Sequence, residues 1–285
     1  METVLESRSD RVVIGAGHPF CVVGERINPT GRKSLAALMA AGDFSVVESD
    51  AVEQVEAGAH VLDVNAGVPL ADEPALLADT VKRVQALVDV PLCLDSSVVA
   101  ALEAGLAVCE GKPLVNSVTA ETARLEQVLP LIAKHGAAVI GLVSGDQGIP
   151  PTPQARLEEA RKIISAAADH GIPPEDIIFD PLAMGVATDP NAPGITLETI
   201  RLFATELGAN TILGASNVSF GLPLRPWINA SFLAMAIGAG LTAAIMNPLS
   251  TEALTAVRAT DLLLGKDEYG MKWIAASRVA EPTAH

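Results

Sequence analysis

Cysteine, aromatic residues and basic residues are scarce in this sequence, and each shortage excludes a class of protein. The three cysteines form no Cys-x-x-Cys motif and no Cys/His cluster, so the sequence predicts neither a disulfide framework nor a metal site. Aromatic residues make up 3% of the chain, so the core has to consist of Ala, Val, Leu and Ile. The net charge is −15, whereas proteins that bind nucleic acids are normally basic, and nucleic acid is therefore not expected as a partner.

Signals for secretion or membrane insertion are also lacking. Five of the first eleven residues are charged, and the apolar run 12–17 that follows is too short for the core of a signal peptide. Residues 231–246 carry no charge, but this stretch of sixteen residues is short for a membrane span and contains Gly238 and Gly240. We therefore expect a buried helix, a turn and a short strand there, no membrane segment, and a cytoplasmic protein.

What the sequence does contain is a repeated pattern of short apolar runs, each followed by a segment in which apolar residues have helical spacing. The predicted strands are residues 20–24, 61–64, 91–94, 114–115, 138–143, 177–179, 211–213 and 243–246. Helices are clearest at 45–57, 75–88 and 154–168, and glycines that can cap a helix follow several helical segments: Gly58, Gly136, Gly171 and Gly208. Apolar strands that alternate with helices indicate a parallel sheet covered on both faces.

Eight such units in 285 residues predict an α/β protein with a (β/α)8 or TIM barrel as a single domain. We expect an N-terminal extension at 1–19, the barrel at 20–275 and a C-terminal tail at 276–285. Within the extension, residues 12–14 are predicted to form a hairpin strand that covers the bottom of the barrel. A doubly wound open sheet is the structural alternative, but no Gly-x-Gly-x-x-Gly motif follows the first strand.

Polar side chains occur at the carboxyl ends of the predicted strands, where a barrel of this kind has its active site. They are Glu25, Asn28, Asp63, Asn65, Asp95, Asn116, Asp180, Ser216, Asn217 and Asn247. Several carboxylates and amides with few cations suit a flat, neutral ligand that is rich in hydrogen-bond donors, and a pterin ring has such an edge. A phosphate ligand would instead require a glycine-rich loop or a basic cluster.

A structural role is the alternative for each of these residues taken singly. Asp180 precedes a proline, as turn-forming residues do, and an Asp or Asn after a strand often caps the next helix. Glu25 and Arg26 could form an ion pair on the rim of the barrel. Nucleophilic catalysis has little support, because there is no Gly-x-Ser-x-Gly motif and His60 precedes the second strand, at the opposite end of the barrel.

Six of these strand-end segments, taken in order, resemble those of methyltetrahydrofolate:corrinoid methyltransferases, which are pterin-binding barrels. The segments are residues 24–28, 62–67, 94–96, 115–117, 180–182 and 214–219, and residues 225–236 are similar to the seventh helix of that family. The resemblance implies that Asp95, Asn116 and Asp180 hydrogen-bond the pterin edge. It also implies that Asn217 lies near N5, the atom that gives or receives the methyl group, and that Arg225 lies near the folate.

The full set of site residues follows from this resemblance. The residues expected to be catalytic are Asn217, Asp95 and Asp180. The residues expected to bind folate are Asp63, Asn65, Asp95, Asn116, Asp180, Gly214, Ser216, Asn217, Phe220 and Arg225, with Glu25 and Asn28 in support and no metal. Phe220 departs from the family, which often has Gln at this position, so stacking or covering of the ligand replaces a polar contact there.

The implied reaction moves a methyl group between cobalt of a corrinoid and N5 of tetrahydrofolate, forming 5-methyltetrahydrofolate in a demethylation pathway. The sequence has no Asp-x-His-x-x-Gly motif for binding cobalt, so a separate corrinoid protein is the expected partner, and family members are commonly homodimers. One alternative is a dihydropteroate synthase-like enzyme, although the cations that such an enzyme has at the ends of strands seven and eight are replaced by residues 215–217 and 247–248. The other is a folate-binding barrel without catalytic activity.

Overall fold

The structure, a computed structural model, describes residues 1–280 and contains a closed barrel of eight parallel strands. Two strands precede the barrel, β1 (Glu2–Glu6) and β2 (Arg11–Gly15). The barrel strands are β3 (Cys21–Ile27), β4 (Val61–Asn65), β5 (Leu92–Asp95), β6 (Leu114–Thr119), β7 (Ala138–Leu142), β8 (Ile177–Asp180), β9 (Asn210–Gly214) and β10 (Ala243–Met246). They pair in chain order, and β10 closes the barrel by pairing with both β9 and β3. The predicted TIM barrel is confirmed.

Helices cover the outside of the barrel. They are α1 (Lys33–Ala40), α2 (Ser45–Ala57), α3 (Glu73–Leu87), α4 (Val99–Leu106), α5 (Thr122–His135), α6 (Pro153–Asp169), α7 (Ala192–Leu202), α8 (Arg225–Ala239), α9 (Thr251–Leu263) and α10 (Met271–Ala280). Helix α2 begins and ends where the apolar pattern predicts, and Gly58 closes it in a left-handed conformation with φ of 112°. Asp72 and Thr152 cap α3 and α6 by accepting hydrogen bonds from backbone N–H groups.

The barrel strands agree with the predicted apolar runs except at their carboxyl ends. Strand β6 is predicted at 114–115 but extends to Thr119, because Asn116 pairs with Asp95 of β5 and the pairing with β7 resumes at Val118 after a shift in register. Strand β3 likewise extends through Glu25 and Arg26. The underestimated strand ends are therefore the parts that turn polar at the mouth of the barrel, by which we mean its carboxyl-terminal face.

The bottom of the barrel is closed by the N-terminal hairpin, as predicted for residues 12–14. Leu5 and Ile14 are fully buried among apolar side chains that the barrel strands point inward. Asn210, at the start of β9, donates hydrogen bonds to the carbonyl oxygen of Ile14 at 2.8 Å and to Oγ1 of Thr3 at 3.0 Å. The hairpin thus seals the core at this end with both apolar packing and satisfied polar groups.

The segment 231–246 forms the end of α8, a turn at Gly240 and strand β10, as the sequence predicts. No helix within residues 1–280 has the length and apolar character needed to cross a membrane. The predicted domain boundaries stay a prediction. Of the expected tail at 276–285, residues 276–280 continue α10 and residues 281–285 lie outside the described part of the chain.

Candidate active site

A row of amide and carboxylate side chains crosses the mouth at the ends of β4, β5 and β6. The strand register places Asn65 beside Asp95 and Asp95 beside Asn116. Asn65 donates a hydrogen bond from Nδ2 to Oδ2 of Asp95 at 2.9 Å, and Asn116 donates from Nδ2 to Oδ1 of Asp63 at 3.2 Å. Each carboxylate is thus bonded to an amide on another strand, and the four side chains form one polar cluster.

The electrostatics of this cluster favour the protonated carboxyl groups. Asp63 is 2% exposed, and burial together with the nearby Asp95 raises its pKa well above the ordinary range. Burial also raises the pKa of Asp95, while the hydrogen bond from Asn65 opposes that rise. Two close carboxylates in a poorly solvated site repel each other, so the cluster can hold a proton near neutral pH. It can release that proton when a ligand that donates hydrogen bonds is bound.

Asp180 lies at the end of β8, on a different part of the same mouth. The backbone N–H of Leu182 donates to Oδ1 of Asp180 at 2.8 Å, so the turn-forming role predicted as an alternative is present. Burial raises the pKa of Asp180 to about 6, and the nearby guanidinium of Arg156 opposes the shift. The turn occupies one carboxylate oxygen and fixes the direction of the other.

The end of β3 brings Glu25 to the mouth and uses Asn28 in a turn. Burial raises the pKa of Glu25, and the charges of Arg26 and Arg225 oppose that rise. Among the described residues, Arg26 forms its ion pair with Asp50, whose Oδ1 lies 3.7 Å from its Nε, so the predicted rim pair of Glu25 with Arg26 is wrong. Asp50 is buried on α2 and also binds Arg32, whose Nη1 lies 2.6 Å from its Oδ2, so one carboxylate faces both guanidinium groups. Asn28 accepts a hydrogen bond from the N–H of Thr30 at 2.8 Å.

The loop after β9 presents Asn217 beside a glycine that makes room for it. Asn217 lies in a short 3-10 helix (Ala215–Ser219) and is exposed, and a Cβ atom on Gly214 would lie 3.1 Å from Nδ2 of Asn217. Arg225 donates to the carbonyl oxygen of Ser216 at 2.9 Å and to Oγ of Ser219 at 3.0 Å. Arg225 therefore ties the two ends of this loop together next to Asn217.

The mouth has an apolar rim, which we define as the exposed large apolar residues between the end of each strand and the first turn of the helix that follows. They are Leu70, Val98, Ile149, Met184, Phe220, Leu224, Trp227 and Leu249. Phe220 is 71% exposed on this rim, and its stacking or covering role stays a prediction. Exposed large apolar side chains at one face of a protein are typical of a surface that binds another molecule.

Three buried polar residues at the mouth were missed by reasoning from the sequence: Asp50, Gln54 and Arg156. Gln54 accepts a hydrogen bond from the N–H of Arg26 at 2.8 Å and leaves no space at Gly24, where a Cβ atom would lie 2.6 Å from Oε1 of Gln54. Asp50, Gln54 and Arg156 all lie on the inward faces of helices. A charged or amide residue at a position where helical periodicity requires an apolar one is the signal that could have found them.

The structure also has a cavity that the predicted site residues do not line. Within residues 1–280, no group of three or more His, Cys, Asp or Glu side chains is arranged to hold a metal ion. A cavity of about 610 Å³ lies outside the barrel, where Ala57 of α2 faces Arg258 of α9 and Trp273 of α10. None of the predicted site residues lines it.

Comparison with known proteins agrees with this polar, carboxylate-rich mouth. Residues 24–247 match the family described as pterin binding enzymes. The chain belongs to this family. It is 31% identical to a methylcorrinoid:tetrahydrofolate methyltransferase from Eubacterium limosum over 265 residues, which cover 90% of this chain and 96% of that protein. The predicted resemblance to the corrinoid methyltransferases among the pterin-binding enzymes is thus confirmed.

Other pterin-binding enzymes share a smaller part of their length or only the fold. The chain is 34% identical to methionine synthase from Mycobacterium tuberculosis over 239 residues, which cover 79% of this chain and 20% of that protein. A solved structure of 7,8-dihydropteroate synthase from Vibrio fischeri ES114 superposes with a TM-score of 0.69 at 17% identity, covering 93% of this chain and 99% of that one. That likeness shows the fold alone.

Proposed function

We propose that the protein is a methyltransferase that moves a methyl group between a corrinoid and N5 of tetrahydrofolate. The observation that carries the proposal is the hydrogen-bonded cluster of Asp63, Asn65, Asp95 and Asn116 at the mouth of a barrel from the pterin-binding enzyme family. The Eubacterium limosum relative, named for this activity, matches nearly the whole chain and supports the same assignment.

In this proposal the pterin ring lies across the mouth, with its hydrogen-bonding edge against the cluster. Asp95 and Asp180 accept hydrogen bonds from ring N–H and amino groups, and Asn116 bonds the same edge. Asp63 lies deeper and holds Asn116 in place through the 3.2 Å hydrogen bond. Because ligand donors favour the ionised carboxyl, binding lowers the pKa of these groups and expels a proton from the site.

Asn217 is the residue that we assign to N5. Removal of the methyl group from neutral 5-methyltetrahydrofolate leaves negative charge on N5, and methylation of tetrahydrofolate builds positive charge there. A group that stabilises the charge developing at N5 therefore lowers the barrier. The side chain of Asn217 cannot titrate, so it acts as a positioned dipole, and Gly214 and Arg225 fix the loop that carries it. The corrinoid supplies or accepts the methyl group at cobalt, and the protein aligns N5 with that carbon.

The corrinoid is carried by a separate protein that docks on the apolar rim. The rim surrounds the same mouth as Asn217, so a partner seated on it brings its corrinoid over N5.

We also propose a homodimer. A second group of exposed large apolar side chains lies away from the mouth, at the end of α9 and the start of α10: Leu263, Leu264, Tyr269 and Met271. A cytoplasmic location fits the free cysteines of the described chain.

A dihydropteroate synthase-like reaction is less consistent with the mouth. Departure of a diphosphate requires positive charge near the ends of β9 and β10, where the chain has Ser216, Asn217 and Asn247. The guanidinium of Arg225 is nearby, but its hydrogen bonds to Ser216 and Ser219 commit it to the loop.

The test is to mix the protein with methylcobalamin and tetrahydrofolate without oxygen and to follow the cobalt absorption spectrum. We expect loss of the methylcobalt band and formation of 5-methyltetrahydrofolate in equal amounts. Tetrahydrofolate binding without transfer, either to free methylcobalamin or to a methylated corrinoid protein, would support the folate-binding barrel instead. Formation of dihydropteroate from a pterin diphosphate and 4-aminobenzoate would support the synthase.

A further inference from the structure

Arg156 is a buried arginine whose hydrogen bonds join two loops beneath the mouth. It lies on the inward face of α6 and is 3% exposed. Its guanidinium donates to the carbonyl oxygen of Pro150 at 3.1 Å, of Pro181 at 2.6 Å and of Leu182 at 2.9 Å. Pro150 belongs to the loop after β7, whereas Pro181 and Leu182 belong to the loop after β8.

The second of these loops begins at Asp180. Leu182 donates its N–H to Oδ1 of Asp180, and its own backbone has φ of 62°, a left-handed conformation that costs energy for a residue other than glycine. Thr196 donates to the carbonyl oxygen of Leu182 at 3.0 Å, from α7. A strained turn persists only where its surroundings hold it, and Arg156 supplies two of the hydrogen bonds that do so.

We propose that Arg156 is a positioning residue for the pterin site: by binding the carbonyl groups of Pro181 and Leu182 it holds the turn that directs Asp180 into the mouth. The inference rests on the proposed folate-binding function. It adds to the residues of the pterin site one that does not touch the ligand.

The charge of Arg156 has a second effect on Asp180. No carboxylate of the described residues lies within 4.0 Å of its guanidinium, which is bonded only to neutral carbonyl groups. Arg156 is the charged group that acts on the Asp180 carboxyl, and it opposes the rise of the Asp180 pKa that burial causes. Arg156 therefore favours the carboxylate form, which can accept hydrogen bonds from the pterin.

Lysine cannot replace this arrangement fully. A guanidinium presents several N–H donors in a rigid plane and reaches three carbonyl groups on two loops, whereas an ammonium group is a single point charge on a flexible stem. The variant Arg156→Lys should therefore keep the electrostatic effect and lose much of the positioning. The variant Arg156→Met should lose both.

The experiment is titration calorimetry of anaerobic tetrahydrofolate between pH 5 and pH 8 with the wild type, Arg156→Lys and Arg156→Met. Arg161→Met is the matched control, since Arg161 lies on the same helix with half of its side chain exposed. We expect Arg156→Met to weaken binding about tenfold or more and to move the midpoint of its pH dependence upward. Arg156→Lys should weaken binding without moving the midpoint, and Arg161→Met should match the wild type.

Asp180→Asn separates positioning from general damage to the fold. In this background the midpoint shift caused by Arg156→Met should disappear. Wild-type affinity in both Arg156 variants would overturn the inference, as would an unchanged midpoint in a folded Arg156→Met protein. If Arg156→Met does not fold, Arg156→Lys carries the test, and wild-type affinity in that variant would overturn it. If the wild type binds tetrahydrofolate but transfers no methyl group, the proposed reaction is contradicted while the positioning role of Arg156 is not.

Discussion

The bottom and the mouth of this barrel are formed by the same eight strands, yet their side chains have opposite properties. At the bottom, Leu5 and Ile14 of the hairpin complete an apolar core, and Asn210 has its hydrogen bonds satisfied. At the mouth, burial raises the pKa of Asp63 and Asp180, and large apolar residues are exposed on the rim. The bottom stabilises the fold, whereas the mouth keeps groups that cost stability, and these are the groups that we propose bind the folate.

This difference should appear when each end is mutated separately. Substitutions at the bottom should lower the free energy of unfolding and leave the activity of the folded protein unchanged. Substitutions at the mouth should lower activity and leave stability unchanged or higher.

The variant Asn217→Ala should show the largest effect and should affect activity alone. Removal of a positioned dipole that stabilises developing charge slows catalysis by about 100- to 1,000-fold. Because Asn217 is exposed, the midpoint of thermal unfolding should stay close to that of the wild type. The measurement is the single-turnover rate of methyl transfer.

Asn247→Ala is the matched control for Asn217, since Asn247 is also an amide at a strand end but accepts a hydrogen bond from the N–H of Leu249 in a turn. Its transfer rate should remain close to that of the wild type. An equal loss of rate in both variants would contradict the assignment of N5 to Asn217.

At the bottom of the barrel, Ile14→Ala should destabilise the protein by about 2–5 kcal/mol, because it leaves a cavity under the closed end of the core. The free energy of unfolding from urea denaturation measures this change. The rate of methyl transfer per folded molecule should not change. Leu87→Ala, at a position that is 49% exposed at the end of α3, is the control and should change the free energy of unfolding far less. A reduced rate in folded Ile14→Ala would break the separation between the two ends.

Asp180→Asn should weaken tetrahydrofolate binding and at the same time stabilise the fold. The folded-state pKa is raised from 3.8 to about 6, so the native protein binds more protons than the unfolded chain between these values. The stability of the wild type therefore falls as the pH rises from about 4 to about 6 and stays lowered above that range. Asn removes this cost, so the variant should gain roughly 1–3 kcal/mol in the free energy of unfolding at pH 8 and almost nothing at pH 4. Urea denaturation at the two pH values checks the sign.

The smallest effect is expected on the rim. Phe220→Ala should change the free energy of unfolding by less than about 0.5 kcal/mol, because the side chain is exposed. It should slow transfer from a corrinoid protein about three- to tenfold more than transfer from free methylcobalamin, as expected when a single interface contact worth about 1 kcal/mol is lost. Comparison of the two donors measures this. If Phe220→Ala slows transfer by the same factor with both donors, or slows neither, Phe220 has no part in docking.

The bottom was easier to predict from the sequence than the mouth. Parallel strands buried on both faces read as apolar runs, and residues 12–14 are recognisable as a strand because Val12, Val13 and Ile14 are β-branched. The polar residues of the mouth are visible singly, because they follow those runs. The sequence does not show how these residues pair, because the hydrogen bonds of Asn65 to Asp95 and of Asn116 to Asp63 depend on the register between strands that are distant in the chain.

The supporting residues were missed for a different reason: periodicity can mark their positions as buried, but it does not name their partners. Arg156 and Gln54 belong to helices whose composition resembles that of any exposed amphipathic helix. Only their position in space shows that Arg156 faces Asp180 and that Gln54 lies against Gly24. The rim ion pair of Glu25 with Arg26 failed similarly, because Asp50 competes for Arg26 from α2.

The N-terminal hairpin also has a consequence for the order of folding. Asn210 bonds to Thr3 and Ile14 across 207 and 196 residues of chain, so the hairpin cannot complete its contacts until the segment that carries Asn210 has been made. Contacts of such long sequence separation form late, after the intervening units have assembled. Hydrogen-exchange protection of the hairpin amides would therefore report the moment at which the barrel closes.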